Sequence, residues 1–225
     1  MDVLVKYFVR HKQGLAGTYS ALPGDFLSDN PQTIQGHGTY RKNGAVYASL
    51  AGKVLQTNMV LQVVPYSQRY IPQIGDVVVG RVFEIQKKRW KIDLNSLHEA
   101  VLKLAAVDLP GSIQRKKLEA DEIEMRRLIS AGDVVIGEVQ EKHGDGTCAI
   151  HTRNARYGRR GHGVLLKTSP DHIQIRSTHF IQIEPALEAV VGINGYIWVE
   201  TGTDPTEEQF RVIAQIRRYI KELDA

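Results

Sequence analysis

A chain of 225 residues with 42% hydrophobic residues and a net charge of +4 has room for one large domain or two to three small ones, with enough apolar side chains for real cores. No run approaches the length of a membrane span, and Met1-Asp2-Val3-Leu4-Val5-Lys6 lacks the basic leader and apolar stretch of a secretory signal, so neither membrane nor export is expected. The single cysteine, Cys148, excludes an internal disulfide and a multi-thiolate zinc site, which fits a reducing intracellular compartment.

Residues 1–20 carry Lys6, Arg10, His11 and Lys12 among several glycines and read as a poorly ordered or partner-bound arm. Across 21–70, turn signals at Pro23-Gly24-Asp25 and Gly36-His37-Gly38 accompany short strands at 45–50, 53–55 and 60–65, predicting an all-β sandwich or barrel module. Residues 71–155 predict a five-stranded barrel of the oligonucleotide-binding type with a helical insertion. Val77, Val79, Val82 and Ile85 make an extended run, Lys87-Lys88-Arg89 makes a polar corner, and Trp90-Lys91-Ile92-Asp93-Leu94 returns with alternating polarity. That is a β-hairpin with a cationic tip. Gly132–Val139 nearly repeats Gly75–Val82, each with a Gly-Asp turn and a second glycine in mid-strand where a small barrel bends.

The insertion opens at Pro110-Gly111-Ser112 and shows helical spacing through Leu118, Met125, Leu128 and Ile129. From Arg156 the character changes, and residues 156–225 predict an α+β part with strands near 164–167, 173–175, 180–183 and 196–199. A last helix follows, with Asp204 as N-cap, Pro205 at the first position and one apolar stripe of Ile213, Ile216, Ile220 and Leu223.

Lys87, Lys88, Arg89 and Lys91 surround Trp90, which supplies cations for phosphates and an aromatic face for a base of single-stranded RNA. Because Trp90 shares a face with Ile92 and Leu94, alternation equally allows it to pack inside the barrel. Arg153, Arg156, Arg159 and Arg160 form a second basic cluster, facing RNA or a partner subunit, or else pairing with acidic neighbours as a linker. Gly192-Ile193-Asn194-Gly195 has the spacing of a KH backbone clamp, but its inner residues carry no cation, and a tight structural turn is the favoured reading. Asp121, Glu122 and Glu124 fan around a helix beside basic residues rather than converging on cations, and no nucleophile or phosphate-loop motif is present, so no catalytic site, metal or cofactor is expected.

Several of these motifs in one order resemble the RNA exosome cap-subunit family of ribosomal RNA-processing protein 4 in its eukaryotic form. They are Pro23-Gly24-Asp25, Gly36-His37-Gly38-Thr39-Tyr40, Gly75-Asp76, Lys88-Arg89-Trp90-Lys91, Asp108-Leu109-Pro110-Gly111, Met125-Arg126, His151-Thr152-Arg153, Tyr157-Gly158 and Gly192–Trp198. The resemblance implies an N-terminal β domain docking on a ring of RNase PH-like subunits, an S1 domain lining an RNA pore, and a KH-type domain, none catalytic. It implies other cap subunits as neighbours and a nuclear, nucleolar and cytoplasmic setting. Family members continue well past the helix that ends here at Leu223, so the resemblance implies a shortened KH-type domain. Two rival readings are a freestanding S1 and KH module in translation or RNA metabolism, and a hydrolytic exoribonuclease.

Overall fold

The computed structural model describes residues 4, 6–8, 19–66, 68–107, 125–184 and 187–224. The helical insertion expected from Pro110 through Leu118 lies outside the described residues, as do Asp121, Glu122 and Glu124 and most of the arm read at 1–20. The chain forms two compact units, Arg10–Gln68, and Arg69–Ala225 together with Met1–Val9.

In the Arg10–Gln68 unit, short apolar runs broken by turns give β1 (Ser20–Ala21), β2 (Phe26–Ser28), β3 (Ile34–Gln35), β4 (Thr39–Lys42), β5 (Ala45–Ala48), β6 (Gly52–Thr57) and β7 (Val60–Pro65). They assemble as two sheets, β1-β6-β7-β3 and β2-β5-β4. Ala21, Val46, Ala48, Val54, Leu61 and Val63 form the core. Asn43 and Gly44, at φ 52 and 84, make the left-handed two-residue turn that suits the β4–β5 hairpin. On the outer face the register sets Phe26 opposite Tyr47 and Tyr47 opposite Tyr40, a row of three rings with centroids 6.0 and 5.6 Å apart.

The other unit is built on β8 (Val77–Gln86), β9 (Arg89–Asp93), β10 (Ala100–Val107), β11 (Val134–Lys142) and β12 (Cys148–Thr152). The order β12-β10-β9-β8-β11, with β11 also paired to β12, closes a five-stranded barrel. The repeated octets explain the closure: β8 and β11 pair antiparallel with Val79 opposite Ile136, and each Gly-Asp turn bonds the other strand's end. Gly75 N–H donates to the Val139 carbonyl at 2.9 Å, and Gly132 N–H donates to the Val82 carbonyl at 2.7 Å. Both turn glycines need positive φ, 91 and 97. A Cβ at Gly80 would sit 2.3 Å from the Ile92 side chain, so a larger residue would force the barrel open.

The barrel core includes Val78, Val82, Trp90, Ile92, Leu94, Leu102, Val135 and Ile150, capped by Met125 of α1 (Met125–Leu128) and by Ile129. Cys148 is fully buried there, and burial pushes its thiol up to about 11. β13 (Gly158–Arg159) adds to β11 and leads into β14 (Gly163–Lys167), β15 (Phe180–Glu184), β16 (Leu187–Val191) and β17 (Tyr196–Glu200), an antiparallel sheet in the order β14-β17-β16-β15. α2 (Glu207–Asp224) lays Ile213, Ile216 and Ile220 on this sheet as its spacing predicted. Its start differs: Thr206, not Asp204, caps it, because Gln209 N–H donates to Thr206 Oγ1 at 3.3 Å and Thr206 N–H donates to Gln209 Oε1 at 2.9 Å. Residues 173–175 form no strand and follow a 3-10 turn at Pro170–His172, while β16 was not anticipated. The boundary read at Arg156 falls before β13, which still pairs with β11, and within the one compact unit the barrel and the C-terminal sheet share a core of Val77, Val79, Val134 and Ile136 with Val190, Tyr196 and Trp198. Among the described residues no helix is long and apolar enough to cross a membrane.

Candidate nucleic-acid interface

In a five-stranded barrel of this topology, ligands lie on the face of the second and third strands, flanked by the loops between strands one and two and between strands four and five. Here those are β9, β10, the Lys87-Lys88 turn and the segment 143–147. The turn is two residues long, Lys88 sits at φ 60, and both lysines and Arg89 are exposed.

The register adds a cation that sequence reading missed. Lys103 on β10 stands directly opposite Arg89 on β9, with both exposed. Directly opposed like charges destabilise a sheet, and Arg89 spends its Nε–H on Gln86 Oε1 at 2.8 Å rather than on a carboxylate. Among the described residues, Lys87 and Lys103 have no acidic partner, while the Arg89 charge helps to lower the pKa of nearby Glu84. Lys103 was hidden because its neighbour across the sheet lies far away in sequence, and only the β9–β10 register brings them together. Arg126 is exposed on α1, at the barrel end that α1 caps.

Trp90 is not part of this surface. Its ring is fully buried in the barrel, and its Nε1–H donates to the Ile129 carbonyl at 2.9 Å, so it cannot stack a base. The cause is the alternation that aligns it with Ile92 and Leu94. Trp90→Ala should cost roughly 3–5 kcal/mol of stability, whereas Trp90→Phe should lose mainly the hydrogen bond, about 1 kcal/mol. Thermal unfolding and RNA titration of the two variants check this: the Phe variant should bind RNA as the unaltered chain does.

Phe83 is an exposed aromatic ring of β8. It lies at a register irregularity between Val82 and Glu84 and is 49% exposed beside β9. A pattern reader assigns Phe83 to the same strand run as Val82, and only the bulge shows that it turns outward. Lys91 is ion-paired, with Glu99 and Glu84 holding its ammonium at 2.6 and 3.4 Å. The hydrogen bond to Glu99 raises its pKa above the ordinary lysine value. Glu84 in turn is held below the usual carboxylate range, chiefly by the Gln86 amide.

The arginine cluster mostly fastens the linker. Arg156 bonds Glu188 at 3.0 Å and lies 4.0 Å from the Phe180 ring centroid, Arg159 bonds Asp133 at 2.8 Å, and Arg160 bonds Glu200 at 3.3 Å. Of the four, Arg153 is exposed and has no acidic partner among the described residues. The acidic partners sit on β16, β17 and the turn before β11, which sequence spacing does not reveal.

Gly192-Ile193-Asn194-Gly195 is the turn between β16 and β17 and points into the barrel. Asn194 is fully buried: its Nδ2 donates to the Val79 and Leu94 carbonyls at 2.7 and 2.9 Å, and its Oδ1 accepts from Val79 N–H at 3.2 Å. Ile193 N–H donates to the Val77 carbonyl at 3.1 Å. A Cβ at Gly192 would lie 2.8 Å from the Val79 nitrogen, so only glycine permits this approach. Ile193 N–H is spent on the barrel and the Gly192 and Gly195 N–H groups on the turn itself, as a tight structural turn requires. Tyr196 reinforces the joint by donating to Asp93 at 2.6 Å, and burial raises its pKa. Among the described residues no group of three or more His, Cys, Asp or Glu side chains could hold a metal ion.

Two family models match the chain: "RRP4, S1 domain" over residues 69–141 and "Exosome complex exonuclease RRP4 N-terminal region" over residues 20–57. The Schizosaccharomyces pombe exosome complex component rrp4 is 42% identical over 79% of this chain and 54% of its own length. The Saccharomyces cerevisiae RRP4 is 40% identical over 79% of this chain and 49% of its own length, and the Caenorhabditis elegans homolog is 41% identical over 81% and 60%. The chain thus spans about half to three fifths of the length of these relatives. A solved structure assigned as an exosome complex RNA-binding protein superposes with a TM-score of 0.50 at 21% identity, over 70% of this chain and 86% of that one, a likeness of fold alone. With both models matching, and relatives near 40% identity across most of its length, the chain carries the S1 domain and the N-terminal region of RRP4-type exosome complex components.

Proposed function

We propose that this chain is a non-catalytic, RNA-binding cap subunit of the exosome. It sits on a ring of RNase PH-like subunits beside the other cap subunits and guides single-stranded RNA 3′ ends toward a nuclease held elsewhere in the assembly, in nucleus, nucleolus and cytoplasm. The observation that carries this reading is the cationic end of the barrel, where Lys87 and Lys103 stand without acidic partners among the described residues, Arg89 is exposed opposite Lys103, and the β8–β9 hairpin also carries the exposed ring of Phe83. Such a surface neutralises phosphates and stacks bases without reading sequence, and its grip weakens with salt. The aromatic row of Phe26, Tyr47 and Tyr40 supports docking to a ring subunit, because exposed Tyr and Phe anchors are what protein interfaces concentrate at their centres.

One experiment separates this from its rivals. The chain is mixed with RNase PH-like ring subunits and a labelled single-stranded RNA, then run by size exclusion with the RNA length followed over time. Co-elution of all components with intact RNA supports the cap reading. Elution apart from the ring favours a freestanding RNA-binding module. Shortening of the RNA by the chain alone would revive the activity that the matched N-terminal family's description names.

A further inference from the structure

The C-terminal sheet and α2 do not close their core by themselves. Leu4 is 1% exposed and Phe8 8%, and both lie among Leu166, Ile173, Ile181, Ile216 and Ile220. The backbone is held as well: Phe8 bridges antiparallel to Ile173, and Gln174 N–H donates to the Tyr7 carbonyl at 2.8 Å. Arg176 clamps the segment from outside, donating to the Lys6 carbonyl at 2.8 Å and lying 4.9 Å from the Tyr7 ring centroid. The Phe8 ring meets Tyr219 of α2 edge-on at 5.6 Å.

We propose that the C-terminal module carries a peptide-binding groove between the Ile173–Arg176 segment and α2. The groove takes a segment that makes one tight turn, Tyr7 N–H donating to the Leu4 carbonyl at 2.9 Å, so that an aliphatic residue and an aromatic one four positions later enter it together, and Leu4 with residues 6–8 fills it in cis. Main-chain hydrogen bonds at the Lys6 and Tyr7 carbonyls hold the segment, and the separate apolar sites of Leu4 and Phe8 give specificity. The segment belongs to the same compact unit as its groove, yet the chain joining them runs through Arg10–Gln68. It is therefore a tethered ligand, present at an effective concentration on the order of millimolar. A segment of the same pattern on a partner protein competes with it, and the two cannot be bound together.

The test uses the full chain carrying Leu4→Asp and Phe8→Asp, with a fluorescein-labelled synthetic peptide of residues 1–9 as the probe. The peptide should bind the double variant saturably and the unaltered chain at least 100-fold more weakly. Hydrogen exchange at the Gln174 amide should accelerate at least 10-fold in the variant and slow again when the peptide is added. Equal or absent peptide binding to the two chains, or unchanged exchange at Gln174, overturns the proposal. Should the double variant not fold, Phe8→Ala, which leaves Leu4 in place, must still accelerate exchange at Gln174; no acceleration overturns the proposal equally.

Discussion

Asn194→Ala is expected to destabilise the larger unit strongly, because it strands three buried backbone groups at once. The Val79 N–H, the Val79 carbonyl and the Leu94 carbonyl all lose their partner in a place water does not reach. An unsatisfied buried group costs about 1–3 kcal/mol, so the sum rivals the roughly 5–15 kcal/mol that holds a domain folded. Asn194→Asp should be no better, since a carboxylate can still accept from Val79 N–H but repels both carbonyls and must be buried charged or protonated. Urea unfolding followed by tryptophan fluorescence reads this well, with Trp90 reporting on the barrel and Trp198 on the shared core. A large drop in midpoint, or separate transitions for barrel and C-terminal sheet, is the expected result. A midpoint within error of the unaltered chain would mean that the joint rests on apolar packing alone.

The second large effect is on RNA. Changing Lys87, Lys88 and Arg89 together to Glu should weaken single-stranded RNA binding by on the order of 10–100-fold near physiological salt and lower the slope of log affinity against log salt by about 2, since each lost single-strand phosphate contact removes about 0.7. Folding should be untouched, because all three side chains are exposed. Lys91→Glu should behave differently. Its partners Glu84 and Glu99 would then face a third carboxylate, so the loss appears in stability before it appears in binding. A triple variant with unchanged salt slope would move the RNA path away from this hairpin.

Much of the fold was legible because local pattern and global structure agree. The period-2 alternation of β8 and β9, the two Gly-Asp turns and the apolar stripe of α2 each name their own partner face. β16 escaped because Leu187-Glu188-Ala189 carries residues equally at home in helices, and its strand form is imposed by β15 and β17 on either side. The cap of α2 shifted from Asp204 to Thr206 because Gln209 completes a reciprocal pair that Asp204 does not form.

The site was harder to read than the fold, for a reason that the residues show. A basic cluster in sequence says nothing about its counter-ions. Arg156, Arg159 and Arg160 find Glu188, Asp133 and Glu200 only once the sheets are packed, while Lys103 joins Arg89 only across a register. Trp90 and Phe83 exchange the roles that composition suggests: the larger ring fills the barrel and the smaller one faces solvent.

The most direct test of the central claim is photocrosslinking of a 4-thiouridine-substituted single-stranded RNA to the chain assembled with its ring subunits, with adducts located by mass spectrometry. Adducts concentrated at Phe83, at the Lys87–Arg89 turn and at Lys103 are the predicted outcome. Adducts confined to the linker at 156–160 or to the turn at 192–195, with none on the β9–β10 face, would contradict it.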